Sequence, residues 1–236
     1  MLTVTTSEWL SPHMLRVHFT SAELEGFESA APDDHIKLIV PEPFAAGEER
    51  CARDYTPRAF DAAMGTLTID FALHDAGPAT RWALAARPGD RIQIGGPKGS
   101  TVVADDFDWY LLIGDETALP SIGRRLEELR ADAPVRVVAV VDNAADRQAF
   151  AARDQLDVQW LARDGAGSGD ADLVKAALST GPLPLGEGLV WIAAEAKVAR
   201  ALRDYVIGDL RHPKAWTKAS GYWTAGAAGT HISIKD

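Results

Sequence analysis

The pattern of hydrophobic residues changes near Thr101–Asp108, and this change constrains the fold more than any other feature of the chain. Before it, short apolar runs that partly alternate with polar residues are separated by turns rich in Pro, Gly and Asp. Runs of this length and spacing are typical of antiparallel strands. These runs are His13–Phe19, His35–Val40, Thr66–Leu73 and Asp90–Gly95. We therefore predict an N-terminal antiparallel β-barrel over residues 1–104, with one helical segment at Ala79–Ala86.

After this change, buried-looking strands alternate with amphipathic helical segments. The predicted strands are Trp109–Gly114, Val135–Val141, Leu156–Ala162 and Leu189–Ala194. The predicted helices are Ala118–Ala131, Ala144–Arg153, Asp170–Ser179 and Lys197–Leu210. Such alternation predicts βαβ units around a parallel sheet, here over residues 105–236. Ligands of such sheets bind at the carboxyl ends of the strands.

Charge and cysteine content exclude several classes of protein. The chain has 24 basic and 34 acidic residues, so its formal net charge is −10 at pH 7, which disfavours general nucleic-acid binding. A single cysteine, Cys51, excludes a disulfide within the chain and a zinc or iron–sulfur site built from cysteines. No His, Asp or Glu cluster has metal-ligand spacing, and no apolar run approaches the roughly 20 residues of a membrane span. We expect a monomeric cytoplasmic protein without a signal peptide, a metal site, a nucleic-acid partner or a membrane partner.

The segment Ala52–Phe60, which reads ARDYTPRAF, has two interpretations. In the first, Tyr55 packs on a planar ring, Thr56 hydrogen-bonds to the edge of that ring, and a neighbouring arginine binds a pyrophosphate through paired hydrogen bonds. In the second, the segment is a polar edge strand that contains an ordinary tyrosine. The segment alone leaves both interpretations open.

Two turns favour the first interpretation. The turn Gly77–Thr80 begins a short helical segment, and the N–H groups and positive dipole end of a helix suit a phosphate. Thr80 has a second interpretation there, as the N-cap of that helix. The turn Ile94–Ser100 is rich in glycine and carries a lysine, although an ordinary hairpin has the same features.

Six motifs in this order resemble the siderophore-interacting protein family, the flavin-dependent ferric-siderophore reductases related to ferredoxin–NADP reductases. They are RDYTPR, HDAGPATRWA, GGPKGS, LLIGDETALPSIGRRLEEL, VWIAAEAKVARALRDY and GYWTAG. The resemblance spans nearly the whole chain. It implies an N-terminal flavin-binding barrel and a C-terminal α/β domain of the nicotinamide-binding type, as in ferredoxin reductases.

The resemblance also implies where FAD binds. Arg53, Tyr55 and Thr56 would line the flavin, with Tyr55 against the ring system and Thr56 near its redox-active edge, and Arg58 would reach the phosphates. The remaining cofactor contacts that it implies come from His74, Asp75, Gly77, Ala79, Thr80, Asp115, Glu116, Thr117 and Ala118. In a plain nicotinamide reductase the turn after the first parallel strand is rich in glycine. Here it carries two carboxylates that would repel phosphate, so the resemblance places this turn near FAD and the active site.

Four of the candidate residues keep a second interpretation. Asp115 and Glu116 would also serve as favourable charges at a helix N-terminus, and the two roles are compatible. Glu195 ends a later parallel strand, where a nicotinamide or substrate group would bind, or it begins the following helix. Trp223, with Tyr222 beside it, would lie against the flavin or the adenine as C-terminal aromatics do in the wider superfamily, or it packs in the core.

The resemblance implies a ferric-siderophore reductase that passes electrons from NADPH, NADH or a ferredoxin through FAD to Fe(III). Because the flavin performs the chemistry, no catalytic side chain is expected. Many siderophore complexes are anionic, so we expect a local basic patch to bind the substrate. Its candidates are Lys37, Arg124, Arg125, Lys214 and Lys218. Two alternatives stay open, which are a general NAD(P)H:flavin or ferredoxin-coupled reductase and a non-catalytic siderophore-binding module.

Overall fold

The computed structural model of the chain describes residues 1–45, 47, 51–73, 77–165, 169–227 and 232–234. The chain divides into two compact units. One comprises Met1–Val103 with Gly123–Arg125, and the other comprises Ala104–Ile122 with Leu126–Asp236. None of the described helices is long and apolar enough to cross a lipid bilayer.

The described part of the first unit contains a seven-stranded antiparallel sheet. Its strands are β1 (Leu2–Ser11), β2 (Met14–Thr20), β3 (Ile36–Ile39), β4 (Ala52–Tyr55), β5 (Ala59–Asp61), β6 (Thr66–Ala72) and β7 (Arg91–Gly95). They lie in the order β4-β3-β7-β1-β2-β6-β5, and every neighbouring pair is antiparallel. Tyr55 on β4 nevertheless packs against Phe71 on β6, with ring centroids 4.6 Å apart. The sheet therefore curls into a half-barrel.

The interior of the half-barrel follows from the alternation of side chains along a strand. Leu67, Ile69 and Phe71 on β6 point inward and are at most 1% exposed. Helix α1 (Pro78–Ala85) closes this core, because its Trp82 lies 6.0 Å from Phe71 and 6.2 Å from Phe19 between ring centroids. The aromatic rings thus connect the helix to both β2 and β6.

The described part of the second unit is built around a six-stranded sheet. Its strands are β8 (Trp109–Gly114), β9 (Val135–Val141), β10 (Leu156–Ala162), β11 (Gly188–Glu195), β12 (Thr217–Trp223) and β13 (Ile232–Ser233). Its helices are α2 (Leu119–Glu128), α3 (Asp170–Leu178) and α4 (Ala196–Gly208). The strand order is β10-β9-β8-β11-β12-β13; the first five strands are parallel, and β13 is antiparallel to β12. β8 and β11 are buried along their whole length, as their continuous apolar runs predict.

The strand order reverses at β8, which pairs with β9 on one side and with the later strand β11 on the other. In open α/β sheets, ligands bind outside the carboxyl ends of the strands at such a reversal. The residues that follow β8 and β11 therefore define the candidate site of this unit. An antiparallel N-terminal sheet and a parallel C-terminal sheet with helices confirm the predicted fold class.

The predicted helix at Ala144–Arg153 is wrong. Only Ala144–Asp146 is helical, as a short 3₁₀ turn after Asn143, and Arg147 already has extended backbone. The reason lies in Arg153, whose guanidinium donates to carbonyl oxygens at and just after the C-terminal end of α2. Its acceptors are Leu126, Leu129, Arg130 and Ala133. Carbonyl groups at the end of a helix lack hydrogen-bond partners within that helix. Because Arg153 donates to them, its segment packs against the end of α2 and does not form a helix.

Candidate cofactor and active site

The first candidate site lies along β4, which is an edge strand of the half-barrel. β3 residues directly opposite β4 set the faces of the strand: Tyr55 pairs with the buried Ile36, and Asp54 pairs with Lys37. Tyr55 is half-buried, and its burial raises the pKa of the phenol even though the Arg53 guanidinium lowers it. The phenol is therefore neutral at physiological pH, and its ring is held by the contact with Phe71.

The residues after β4 connect to a buried carboxylate on β6. Thr56 is 6% exposed, and Arg58 has a side chain that is 12% exposed. Asp70 accepts two hydrogen bonds from Arg16, at 2.7 and 2.8 Å, which use both of its oxygens. The Nε atom of Arg58 lies 3.9 Å from Asp70, so two guanidinium groups share one carboxylate. Asp70 thus links β2, β6 and the segment that follows β4.

Helix α1 supplies a second feature of this unit. Its N-cap is Gly77, which makes no side-chain capping bond and has open space where a Cβ atom would lie. Pro78 follows as the first helical residue, and Thr80 lies inside the first turn, so the capping role considered for Thr80 belongs to Gly77. Ala79 is buried. His74 and Asp75 lie outside the described residues.

These features fit FAD, which carries a planar ring system and a diphosphate with two negative charges. Tyr55 offers an aromatic face, and Arg53 and Arg58 offer cationic donors of the type that bind phosphates in pairs. The start of α1 offers backbone N–H groups that no side chain of the cap occupies. The described residues up to Thr80 that the sequence assigned to FAD thus have the chemistry that the cofactor needs, and they all belong to the first unit.

The predicted basic residues of the first unit differ in exposure. Lys37 is 41% exposed, and its Nζ atom lies 2.7 Å from Asp54 across the β3–β4 pair. Arg124 is only 4% exposed, and its guanidinium donates to the Ser29 Oγ and O atoms and to the Pro57 carbonyl. Arg125 is 5% exposed and lies 3.5 Å from Asp33. Lys37 is therefore the exposed cation of this set, while both arginines are buried in contacts with the protein.

The second candidate site centres on Asp115, directly after β8. Its carboxylate is 1% exposed and accepts four hydrogen bonds. Oδ1 accepts from the Thr117 N–H at 2.9 Å and from the Thr117 hydroxyl. Oδ2 accepts from the Glu195 N–H at 3.0 Å and from the Trp223 indole N–H at 2.9 Å. Burial raises the pKa of this carboxyl, and the bonds from Thr117 and Trp223 oppose that shift.

Glu195 caps α4 and reaches the end of β12. Oε2 accepts from the N–H groups of Lys197 and Val198, which is the helix-start role considered for this residue. Oε1 accepts from the Ala225 N–H at 3.2 Å. Asp115, Glu195 and Trp223 come from the ends of three neighbouring parallel strands, and the structure brings them together at the point where ligands of such sheets bind.

Glu116 lies next to Asp115 but serves a different cluster. Its carboxylate pairs with Arg163, at the end of β10, and Arg163 also pairs with Asp170 at 2.7 Å. Ala118 is fully buried under the turn.

The two predicted basic residues of the second unit also differ in exposure. Lys218, on β12, is half-buried, and Lys214 is exposed.

Sequence reasoning missed two residues of these sites. Asp70 is a charged residue inside the apolar run Thr66–Leu73, and that interruption was the available signal for a buried ion pair. The Ala225 N–H has no signal in the sequence, because any residue other than proline offers the same donor.

Comparisons with known proteins identify the family. The profile of the siderophore-interacting protein family matches residues 107–226. The profile of the siderophore-interacting FAD-binding domain matches residues 3–49 and 44–101. Together the two matches extend over most of the chain.

Individual relatives agree with these matches. The NADPH-dependent ferric-chelate reductase of Escherichia coli strain K12 is 34% identical over 95% of this chain and 92% of its own length. The ferric vibriobactin reductase ViuB of Vibrio cholerae is 29% identical over 96% of this chain and 89% of its own length. The crystal structure of a siderophore utilization protein from T. fusca matches with a TM-score of 0.89 and 36% identity, over 97% of this chain and 94% of the other. The resemblance seen in the motifs is confirmed, and the chain belongs to the siderophore-interacting protein family.

Proposed function

We propose that this protein is an FAD-dependent ferric-siderophore reductase that takes electrons from NADPH and releases iron as Fe(II). The observation that carries this proposal is the 34% identity to the NADPH-dependent ferric-chelate reductase of Escherichia coli over nearly the full length of both chains. The presence of both the siderophore-interacting and the FAD-binding sequence profiles supports it.

Each half of the chain has its own task in this proposal. Residues 1–104 bind FAD through the side chains along and after β4 and through the start of α1. The residues proposed to contact FAD there are Arg53, Tyr55, Thr56, Arg58, Gly77, Ala79 and Thr80. Residues 105–236 bind the electron donor. The candidate site residues of this half are Asp115, Glu116, Thr117, Ala118, Glu195 and Trp223. The protein acts as a monomer in the cytoplasm.

When bound, FAD supplies the conversion of a two-electron donor into single-electron steps, so one NADPH reduces two ferric chelates. The residues of the chain position and shield this chemistry. Tyr55 would lie against the ring system with a phenol that stays neutral at physiological pH. Arg58, which shares Asp70 with Arg16, would donate to the phosphates. The iron step transfers an electron only, and it needs no acid, base or metal ligand from the protein.

Anaerobic reduction of the FAD-loaded protein tests this proposal. NADPH, NADH or a reduced ferredoxin is added, and the flavin absorbance is followed. A ferric siderophore is then added together with a chelator that colours with Fe(II). We expect NADPH to bleach the flavin and the ferric siderophore to restore its absorbance while Fe(II) accumulates.

Other outcomes of this assay point to the alternatives. Bleaching by ferredoxin alone would remove NADPH as the donor and keep the reductase. Bleaching without reoxidation by any ferric siderophore would indicate a general flavin reductase. A colourless protein that rejects added FAD would contradict the proposal and favour a non-catalytic siderophore-binding protein.

Lys37→Ala and Lys218→Ala should each raise the KM for an anionic ferric siderophore by about threefold, because a single exposed charge contributes roughly 0.2–1 kcal/mol to such an interaction. The turnover number should stay unchanged, since neither residue is proposed to act on the flavin. Asp54→Asn removes the carboxylate that neutralises Lys37 and should lower the same KM. Steady-state kinetics at two salt concentrations measure these effects, which should shrink as salt screens the charges.

Lys175→Ala is the matched control for the lysine variants. Lys175 lies on α3 over the ring of Tyr205, and its removal should leave the KM unchanged. An unchanged KM in both Lys37→Ala and Lys218→Ala would remove these residues from the substrate site.

A further inference from the structure

The Asp115 carboxylate joins three chain segments that are distant in sequence. It accepts hydrogen bonds from Thr117 in its own turn, from the Glu195 N–H at the end of β11, and from the Trp223 indole at the end of β12. The bond to Trp223 spans 108 residues. One buried side chain therefore fastens the carboxyl ends of three neighbouring parallel strands.

Capping explains only half of this arrangement. Oδ1 alone caps the 3₁₀ turn Glu116–Ala118 through Thr117. A serine or asparagine would cap such a turn equally well without the free energy needed to bury a charge. Oδ2 points elsewhere, to the Glu195 N–H and the Trp223 indole, and capping of the turn does not account for this second pair of bonds.

Three of the four groups that donate to Asp115 are N–H groups, which cannot accept a hydrogen bond, and the fourth is the Thr117 hydroxyl, which can. An asparagine would face these four donors with one neutral oxygen in place of two charged ones. Asp115→Asn should therefore break the bonds on one side of the side chain and weaken those on the other, while keeping nearly the same size and shape.

Trp223 is the aromatic partner of Asp115, and it is a candidate site residue in the proposed function. Its ring is half-buried, and its indole N–H is held by Asp115. Two residues later, the Ala225 N–H is held by Glu195, so two carboxylates fix the chain segment that carries the ring.

We propose that Asp115 is a positioning residue, which holds the Trp223 indole in the orientation that the reductase reaction needs. This inference rests on the proposed function. It assigns to Asp115 no contact with the reacting atoms, because its carboxylate is 1% exposed and all its bonds are made within the protein.

Indole N–H exchange in the FAD-loaded protein tests the bond itself. The chain has seven tryptophans, so seven indole signals are expected in a ¹H–¹⁵N spectrum, and Trp223→Phe identifies the one that belongs to Trp223. We expect Asp115→Asn to speed the exchange of this indole by about threefold or more, because the indole then loses its acceptor or bonds to a neutral amide oxygen in place of a charged carboxylate. Asp105→Asn is the control; it removes a carboxylate bonded to Tyr110 and Arg130 and should leave the Trp223 signal unchanged.

Flavin reduction and reoxidation rates test the positioning role. Asp115→Asn and Trp223→Phe should each lower the turnover number by about tenfold, with the KM for NADPH changed by less than about twofold, since the first weakens or breaks the bond and the second removes it. The double variant should be no slower than either single variant, because coupled changes are not additive. Asp105→Asn should keep the wild-type rate.

Three results would overturn the inference. The first is an Asp115→Asn protein in which the Trp223 indole exchanges at the wild-type rate. The second is a loss of rate in Asp115→Asn with none in Trp223→Phe, which would indicate a structural role for Asp115. The third is equal loss in Asp115→Asn and Asp105→Asn. Failure of the proposed function is distinguishable, because the wild-type protein would then reduce no ferric siderophore whatever the indole exchange shows.

Discussion

Gly114→Ala should destabilise the second unit by about 3 kcal/mol, which is the upper range for overpacking a buried position. A Cβ atom on Gly114 would lie 2.5 Å from the Ala118 Cβ, 3.0 Å from the Ala193 carbonyl oxygen and 3.2 Å from Ile122. Two of these neighbours cannot move easily, because Ala118 and Ala193 are fully buried and one contact is with backbone. Urea unfolding followed by far-ultraviolet circular dichroism measures the change.

Gly208→Ala is the matched control for this variant. Gly208 is the last residue of α4, and a Cβ atom there would meet nothing within 4 Å. Since alanine favours helix more than glycine, Gly208→Ala should leave stability unchanged or raise it by up to about 1 kcal/mol. Equal stability of the Gly114→Ala and wild-type proteins would show that the β8–α2 turn can relax, contrary to this expectation.

Gly114→Ala should also disturb the candidate site next to it. Gly114 precedes Asp115, and the clash with Ala118 pushes on the turn that Asp115 caps. We therefore expect the Trp223 indole in Gly114→Ala to exchange faster under conditions where the protein is still folded. This result would link the glycine at the end of β8 to the orientation of Trp223.

Asp70→Ala should destabilise the first unit by about 3–5 kcal/mol, as expected when one partner of a buried ion pair is removed. The Asp70 side chain is 3% exposed, and that of Arg16 is 22% exposed. Without the carboxylate, Arg16 loses two hydrogen bonds and Arg58 loses an ion pair at 3.9 Å. The free energy of unfolding, measured in urea, is the quantity to compare.

Glu8→Ala is the control for an exposed pair on the same sheet. Glu8 is 56% exposed and lies 3.4 Å from His18, so its removal should change stability by less than about 0.5 kcal/mol. The double variant Arg16→Met with Asp70→Leu should be more stable than Asp70→Ala, because it removes the second charge as well. If Asp70→Ala is as stable as Glu8→Ala, the ion pair of Asp70 with the arginines does not contribute the expected free energy to folding.

The sequence predicted the elements whose signals are local. The continuous apolar runs of β8 and β11 predicted buried parallel strands, and both are buried along their full length. The spacing of Lys197–Leu210 predicted α4, which the structure places at Ala196–Gly208. The motif around Arg53 and Tyr55 predicted a strand, which the structure places at Ala52–Tyr55.

The predicted helix at Ala144–Arg153 failed because its residues make their decisive contacts elsewhere. Its local pattern is helical, but Arg153 serves carbonyls at the end of α2, and Phe150 stacks on Trp160 with ring centroids 5.6 Å apart. These tertiary contacts outweigh helix propensity, which contributes less than about 1 kcal/mol per residue for ordinary side chains.

By itself, the sequence determined the strands and helices with local signals, the two fold classes and the family, since these follow from periodicity and from short motifs. Only the tertiary structure decided which charged residues are exposed and which are bonded to one another. Arg124 is buried although its position suggested a surface cation, and Asp70 meets Arg16 across 54 residues. Asp115 meets Trp223 across 108 residues. The physical reason is that a hydrogen bond or ion pair depends on the distance between atoms in space, which the strand pairing sets and the spacing along the chain does not.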